Sequence, residues 1–174
     1  MRKSFLIIAL FFFLVAEGVA LELLPGNLIN VSIIMIPHWI LVFLIIVNFF
    51  YETKKPHTFI IYAIIFGLLV DIVYTDTLGV YMFAYGLALY TTTLLKRVLQ
   101  ENFVMTVITT IIAVIITEAI IGIIYTALGI TRVYWLDNLT ERLVPTIIAN
   151  IVFLLIIYPI VKYIIVRINN QTYN

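Results

Sequence analysis

The chain has 174 residues, of which 64% are hydrophobic and 11% charged, whereas soluble domains carry about a quarter charged residues, so water is not the main solvent of this fold. A formal net charge of +1 offers no basic surface for nucleic acid, and zero cysteines exclude disulfides, thiolate metal sites and a cysteine nucleophile. The two histidines, His38 and His57, lack metal-ligand spacing, and no cofactor is expected.

Taken in chain order, long apolar runs predict membrane spans at about 4–24, 33–51, 58–75, 78–95, 103–128 and 143–165. Continuous apolar runs, rather than alternating ones, argue for helices and against a barrel. The expected fold is therefore all-α: one polytopic domain of six transmembrane helices over residues 1–174. Pro25-Gly26-Asn27 is read as an outer turn, residues 52–57 as an inner loop and Thr75-Asp76-Thr77 as a tight outer turn. Residues 96–102 form a second inner loop, and 129–142 the longest outer connection, with Tyr134 and Trp135 at the membrane edge beside Trp39 and Tyr51 elsewhere. The first 20 residues also have the outline of a signal peptide. Glu17 fits poorly near such a cleavage site, however, and the apolar run continues to Leu24. The glycosylation triplets at Asn138 and Asn170 are weak matches.

Arg2, Lys3, Lys54, Lys55, Lys96, Arg97, Lys162 and Arg167 fall in gaps that alternate with gaps nearly free of basic residues, where only Arg132 and Arg142 lie. Because cytoplasmic loops carry the basic excess, the alternation predicts a multi-pass protein with both termini cytoplasmic.

Glu17, Asp71 and Glu118 fall inside apolar runs, where an ionised group costs about 2.5–3.5 kcal/mol on insertion scales. Each lies roughly 18–22 Å from the cytoplasmic face along an outward-running helix, which suggests one polar layer. That layer is either an outward cavity or an internal network satisfied by Thr117, Tyr74, Asn150 or the arm of Arg142. Glu22, Asp76 and Asp137 read as solvated at the outer interface. Ala63, Gly67 and Asp71 recur on one face of the third helix, Ala84 and Ala88 on the fourth, and Ala16 and Ala20 flank Glu17. Such small residues let backbones approach closely, either inside the bundle or against a partner. Asp71 and Asp76 invite comparison with intramembrane aspartyl proteases, but Gly67-Leu68-Leu69-Val70-Asp71 lacks the second glycine of a GxGD motif. No phosphate-cradling loop, nucleophile elbow or histidine cluster is present, so no enzyme is expected.

The chain resembles the rod shape-determining membrane protein MreD family, in its short Gram-positive form. The resemblance rests on the Arg-Lys start with a helix reaching Glu17-Gly18 and on Gly67-Leu68-Leu69-Val70-Asp71-Ile72-Val73-Tyr74 followed by Leu78-Gly79-Val80-Tyr81. Glu118, Leu143-Val144-Pro145-Thr146 and Asn150 complete it. It implies a non-enzymatic component of the cell-elongation machinery in the bacterial plasma membrane, associated with MreC and, through the complex, with the MreB filament and the peptidoglycan synthase. It also implies a fold similar to the S components of vitamin transporters. The family supplies no catalytic residue, so Gly67 and Asp71 are carried over as motif positions with a structural role, while Gly79 is read with Ala63, Gly67, Ala84 and Ala88 as a helix-packing or partner face. A scaffold of this kind would meet partners, membrane lipid or a second copy of itself in a homo-oligomer through its helix faces. The competing expectation is a small-molecule-binding S-type transporter subunit, in which the acid layer would meet a cationic or hydroxylated ligand.

Overall fold

The computed structural model describes residues 3–23, 35–51, 57–130 and 139–172. Six α-helices follow one another: α1 (Lys3–Leu23), α2 (Trp39–Phe50), α3 (Thr58–Tyr74), α4 (Val80–Lys96), α5 (Phe103–Ala127) and α6 (Val144–Thr172). A π-helical turn, Leu139–Leu143, leads into α6, and no strand occurs among the described residues. The turn at Pro25-Gly26-Asn27, the basic residues Arg2, Lys54, Lys55 and Arg132, the aromatics Tyr134 and Trp135, and Asp137 and Asn138 lie outside the described residues. So do the side chains of Glu22 and Asn170.

Three segments are long and apolar enough to cross a membrane: Ser4–Leu21, Phe103–Ala127 and Glu141–Ile168. The helices α3 and α4 have 17 residues each, or about 26 Å at 1.5 Å per residue. The second helix departs most from expectation. A span over 33–51 was expected, yet α2 has only 12 residues, about 18 Å, and residues 35–38 are not helical. Pro37 is the physical reason, since proline has no N–H to give and drives the residue before it out of the helical region.

A helix this short survives because it never meets lipid. Its sequence WILVFLIIVNFF is apolar all round, and every residue from Ile40 to Phe50 is buried, as expected of a helix enclosed by protein. It touches all five other helices, most extensively α6. The neighbours turn their other faces outward, leaving Ile8, Phe12 and Val15 of α1 and Val152, Ile156 and Ile160 of α6 exposed. Lipid tails are as apolar as these side chains, so close packing and internal hydrogen bonds, rather than water exclusion, hold such a bundle together.

The ends of the helices carry recognisable stops. Asn102 caps α5, its side chain accepting from Met105 N at 2.9 Å. Lys96 Nζ donates to Asn48 O at 2.8 Å, placing a cation at the C-terminal end of α2, and also pairs with Glu101 at 3.2 Å. The sixth helix runs past the expected end near residue 165 to Thr172, with Pro159 inside it. Lys162, on this helix, lies 5.0 Å from the centre of the Phe50 ring and 5.3 Å from that of Tyr158.

Candidate functional site

Two helices begin inside the bundle, and the polar residues gather at their first turns. A helix start leaves N–H groups without intrahelical partners and carries roughly half a positive charge, so a carboxylate is well placed there.

At the start of α4 the carboxylate is Asp71. Its Oδ2 accepts from Gly79 N at 2.9 Å and Met82 N at 3.0 Å, and its Oδ1 from Tyr81 N at 2.9 Å. Gly79 makes the geometry reachable: its φ of 94° is left-handed backbone that residues with a Cβ rarely adopt. Gly67, one turn before Asp71, lies against the same stretch of α4. A Cβ at Gly67 would sit 2.6 Å from Tyr81 O and 2.9 Å from Met82 Cα, so only glycine lets the helices close to this distance. Ala63, Ala84 and Ala88 are fully buried, and α3 and α4 make the most extensive helix pair in the molecule.

The start of α2 is built from every other helix but α3. From α6, Thr146 Oγ1 accepts from Ile36 N at 3.1 Å, while Asn150 gives its amide to Ile36 O at 2.9 Å and takes His38 N at 2.7 Å. These bonds satisfy the non-helical backbone before α2, and such backbone is tolerated at membrane depth only where protein covers it. From α1, Glu17 Oε1 accepts from Ile40 N at 3.2 Å. The His38 ring reaches two further helices: Nε2 lies 3.0 Å from Glu118 Oε1 of α5, and Nδ1 3.0 Å from the Tyr85 hydroxyl of α4. Glu118 also takes Arg142 Nε on Oε2 at 2.7 Å. A carboxylate paired with arginine accepts only, so Nε2 donates to Glu118, and in the neutral imidazole Nδ1 is left to accept from the Tyr85 hydroxyl.

The structure thus brings Glu118 and Arg142 into direct contact and sets Glu17 at the same helix start, whereas Asp71 spends its oxygens at the other. Of the partners anticipated for the acids, Tyr74 instead donates to Leu14 O at 2.8 Å, and Asn150 serves the backbone. Thr117 Oγ1 is the one buried side-chain polar atom without a hydrogen-bond partner among the described residues. Sequence reasoning set His38 aside as a histidine without metal-ligand spacing, named Thr146 only as a motif position, and passed over Tyr85. The available signal was Pro37-His38 inside an apolar run, a helix break with a polar group beside it.

No group of three or more His, Cys, Asp or Glu side chains that could hold a metal occurs among the described residues. Among the described residues, Glu17 and Asp71 are bonded to backbone N–H groups, and Glu118, His38, Tyr85 and Arg142 to one another. The arrangement is one that holds backbone in place.

Comparison with known proteins agrees with that character. The model of the family "rod shape-determining protein MreD" matches residues 2–167. The rod shape-determining protein MreD of Bacillus subtilis (strain 168) is 28% identical over 148 residues, covering 82% of this chain and 81% of that protein. No solved structure matches the chain. With a family match running over nearly its whole length, and a helical bundle whose polar groups serve its own architecture, the chain belongs to the MreD family of rod shape-determining membrane proteins, a structural family.

Proposed function

We propose that this protein is a non-enzymatic scaffold of the cell-elongation complex in the bacterial plasma membrane, binding MreC and, through the complex, serving the MreB filament and the peptidoglycan synthase. Six membrane-crossing helices with both termini cytoplasmic belong to this reading, as does a fold similar to transporter S components. The supporting observation is the use of the intramembrane polar groups. Glu17, Asp71, Glu118, Arg142 and Asn150 fix helix starts or pair with one another, which suits a rigid platform that presents constant surfaces. Family membership supports the same conclusion.

Purification in gentle detergent with mass spectrometry of retained proteins tests it: MreC should co-purify with the folded chain. Retention of no elongation-complex protein, with the chain folded and abundant, would contradict the proposal. Topology is tested separately by a reporter active only outside the membrane, which should stay silent when fused after Asn174.

A further inference from the structure

A pocket of about 50 Å³ lies between the outer parts of α1, α3 and α4, beside Ile36 and Pro37. Its polar lining comes from Glu17, Tyr74, Thr75, Tyr81 and Tyr85. Glu17 is 3% exposed and Tyr85 fully buried, while Leu21 at the rim is 42% exposed. Glu17 and Tyr85 both line this space and both hold the α2 start described above, yet holding that start leaves acceptor capacity on each.

Which chemistry the pocket recognises follows from what its groups have left to give. Tyr74 has used its one donor on Leu14 O. The Tyr85 hydroxyl is paired with His38 Nδ1 and, beside a neutral imidazole, gives its donor there. Thr75 Oγ1 is bonded within its own turn, to Asp71 O and Thr77 O at 3.0 Å each and to Thr77 N at 3.4 Å. Once ionised, Glu17 has no donor, and its bonds from the Ile40 and Trp39 backbone occupy only part of the acceptor capacity of a carboxylate, about four lone-pair sites. Tyr81 alone has a hydroxyl with a donor not committed to a described residue. The surplus is therefore in acceptors: carboxylate oxygens and phenolic lone pairs. An anion would meet a carboxylate and almost no donors, and a neutral hydroxyl brings one donor. An ammonium group brings three donors and a charge opposite to that of Glu17, among aromatic rings whose faces attract cations. The volume accommodates about three non-hydrogen atoms, a compact head group rather than a whole vitamin.

We propose that this pocket is a binding site for a primary ammonium group, with Glu17 as its counter-ion. The ammonium is carried either by a free small amine or by the head group of an aminolipid, and the two sources share this chemistry.

The test uses the full chain purified in detergent. Thermal unfolding and calorimetric titration are measured with ethanolamine, with ethylene glycol as the neutral probe of similar size, and with mixed micelles containing phosphatidylethanolamine or phosphatidylglycerol. Stabilisation by ethanolamine identifies the free amine as sufficient, and stabilisation by phosphatidylethanolamine alone identifies the lipid. Either supports the site, provided Glu17→Gln, which keeps an oxygen for Ile40 N, weakens binding about tenfold or more. Tyr81→Phe removes one neutral acceptor and no charge, so it should weaken ammonium binding much less than Glu17→Gln does. Should Glu17→Gln fail to fold, Leu21→Lys replaces an exposed side chain at the rim and tethers a competing ammonium, so binding of the added probe should be lost. The proposal is overturned if neither ammonium probe binds, if ethylene glycol binds as well as ethanolamine, or if folded Glu17→Gln or Leu21→Lys protein binds as the wild type does.

Discussion

The starts of α4 and α2 solve one problem by opposite means. Both leave backbone N–H groups inside a bundle that lipid surrounds, and both recruit a carboxylate. At α4 one side chain does nearly everything: Asp71 takes three N–H groups that follow it by eight to eleven residues, across a single tight turn. At α2 the work is divided among residues from α1, α4, α5 and α6, with partners as far as 114 positions away. The first device is complete as soon as two adjacent helices meet. The second exists only when the whole bundle does, so it reports on global assembly while Asp71 reports on one hairpin.

Removing the central acid of the local device should have the largest effect. Asp71→Ala leaves three N–H groups without acceptors, each costing about 1–3 kcal/mol, and a loss of roughly 3–5 kcal/mol is expected in chemical unfolding of the detergent-solubilised protein. A loss below about 1 kcal/mol would mean that water or another group replaces Asp71, and the contrast between the devices would fail.

Next comes the assembled device. Arg142→Met strips one cation from Glu118, and breaking such a buried pair typically costs about 3–5 kcal/mol. Because Arg142 is 20% exposed, the lower end of that range is expected, by the same unfolding measurement. His38 still faces Glu118 in this variant, so His38→Phe combined with Arg142→Met should cost distinctly more than either alone.

A smaller effect is expected from crowding the α3–α4 contact. Gly67→Leu puts side-chain atoms where Tyr81 and Met82 backbone now lie, and overpacking of this kind costs about 1–3 kcal/mol. Leu69→Ile, at a half-buried position, should cost less than about 1.5 kcal/mol. If Gly67→Leu leaves stability, MreC retention and rod-like growth unchanged, the close approach of the two helices does not matter to the protein.

The finest discrimination comes from double-mutant cycles. Glu17→Gln and Glu118→Gln act at one helix start and should couple by about 0.5 kcal/mol or more, whereas Asp71→Asn should add to either within about 0.3–0.5 kcal/mol. Equal coupling among all three would restore a single continuous layer and erase the distinction drawn between the two helix starts.

This contrast also explains what could be read from the sequence. The face of the α3–α4 contact was legible because its parts are neighbours, with period-four spacing putting Gly67 and Asp71 on one face, whereas Asp71 was read into a layer with Glu17 and Glu118 and not as the acceptor for the start of α4. The positions of α1, α3, α4 and α5 followed from hydropathy to within a few residues. Hydropathy also drew Glu118 out as anomalous, and Arg142 was named as a candidate partner. The start of α2 was not legible in the same way. Its apolar run continues through Ile36, and a window average does not register that Pro37 withholds an N–H. His38 finds Glu118 and Asn150 across 80 and 112 positions, a distance at which local spacing carries no information.

The separation between residues 36–38 and α6 also sets a timetable for synthesis. Ile36 leaves the ribosome 110 residues before Thr146, an interval of about 5–20 s at ordinary elongation rates. Throughout that interval the unwound stretch and its 12-residue helix have neither the length to cross lipid alone nor the α6 side chains that will satisfy the backbone of Ile36 and His38. The second helix must therefore wait at the membrane surface, inside the translocation machinery or under a chaperone until α6 is made. The step that commits this protein to its fold is then the arrival of its final helix, and a chain stopped before Thr146 should be handed to proteolysis rather than retained as a five-helix intermediate.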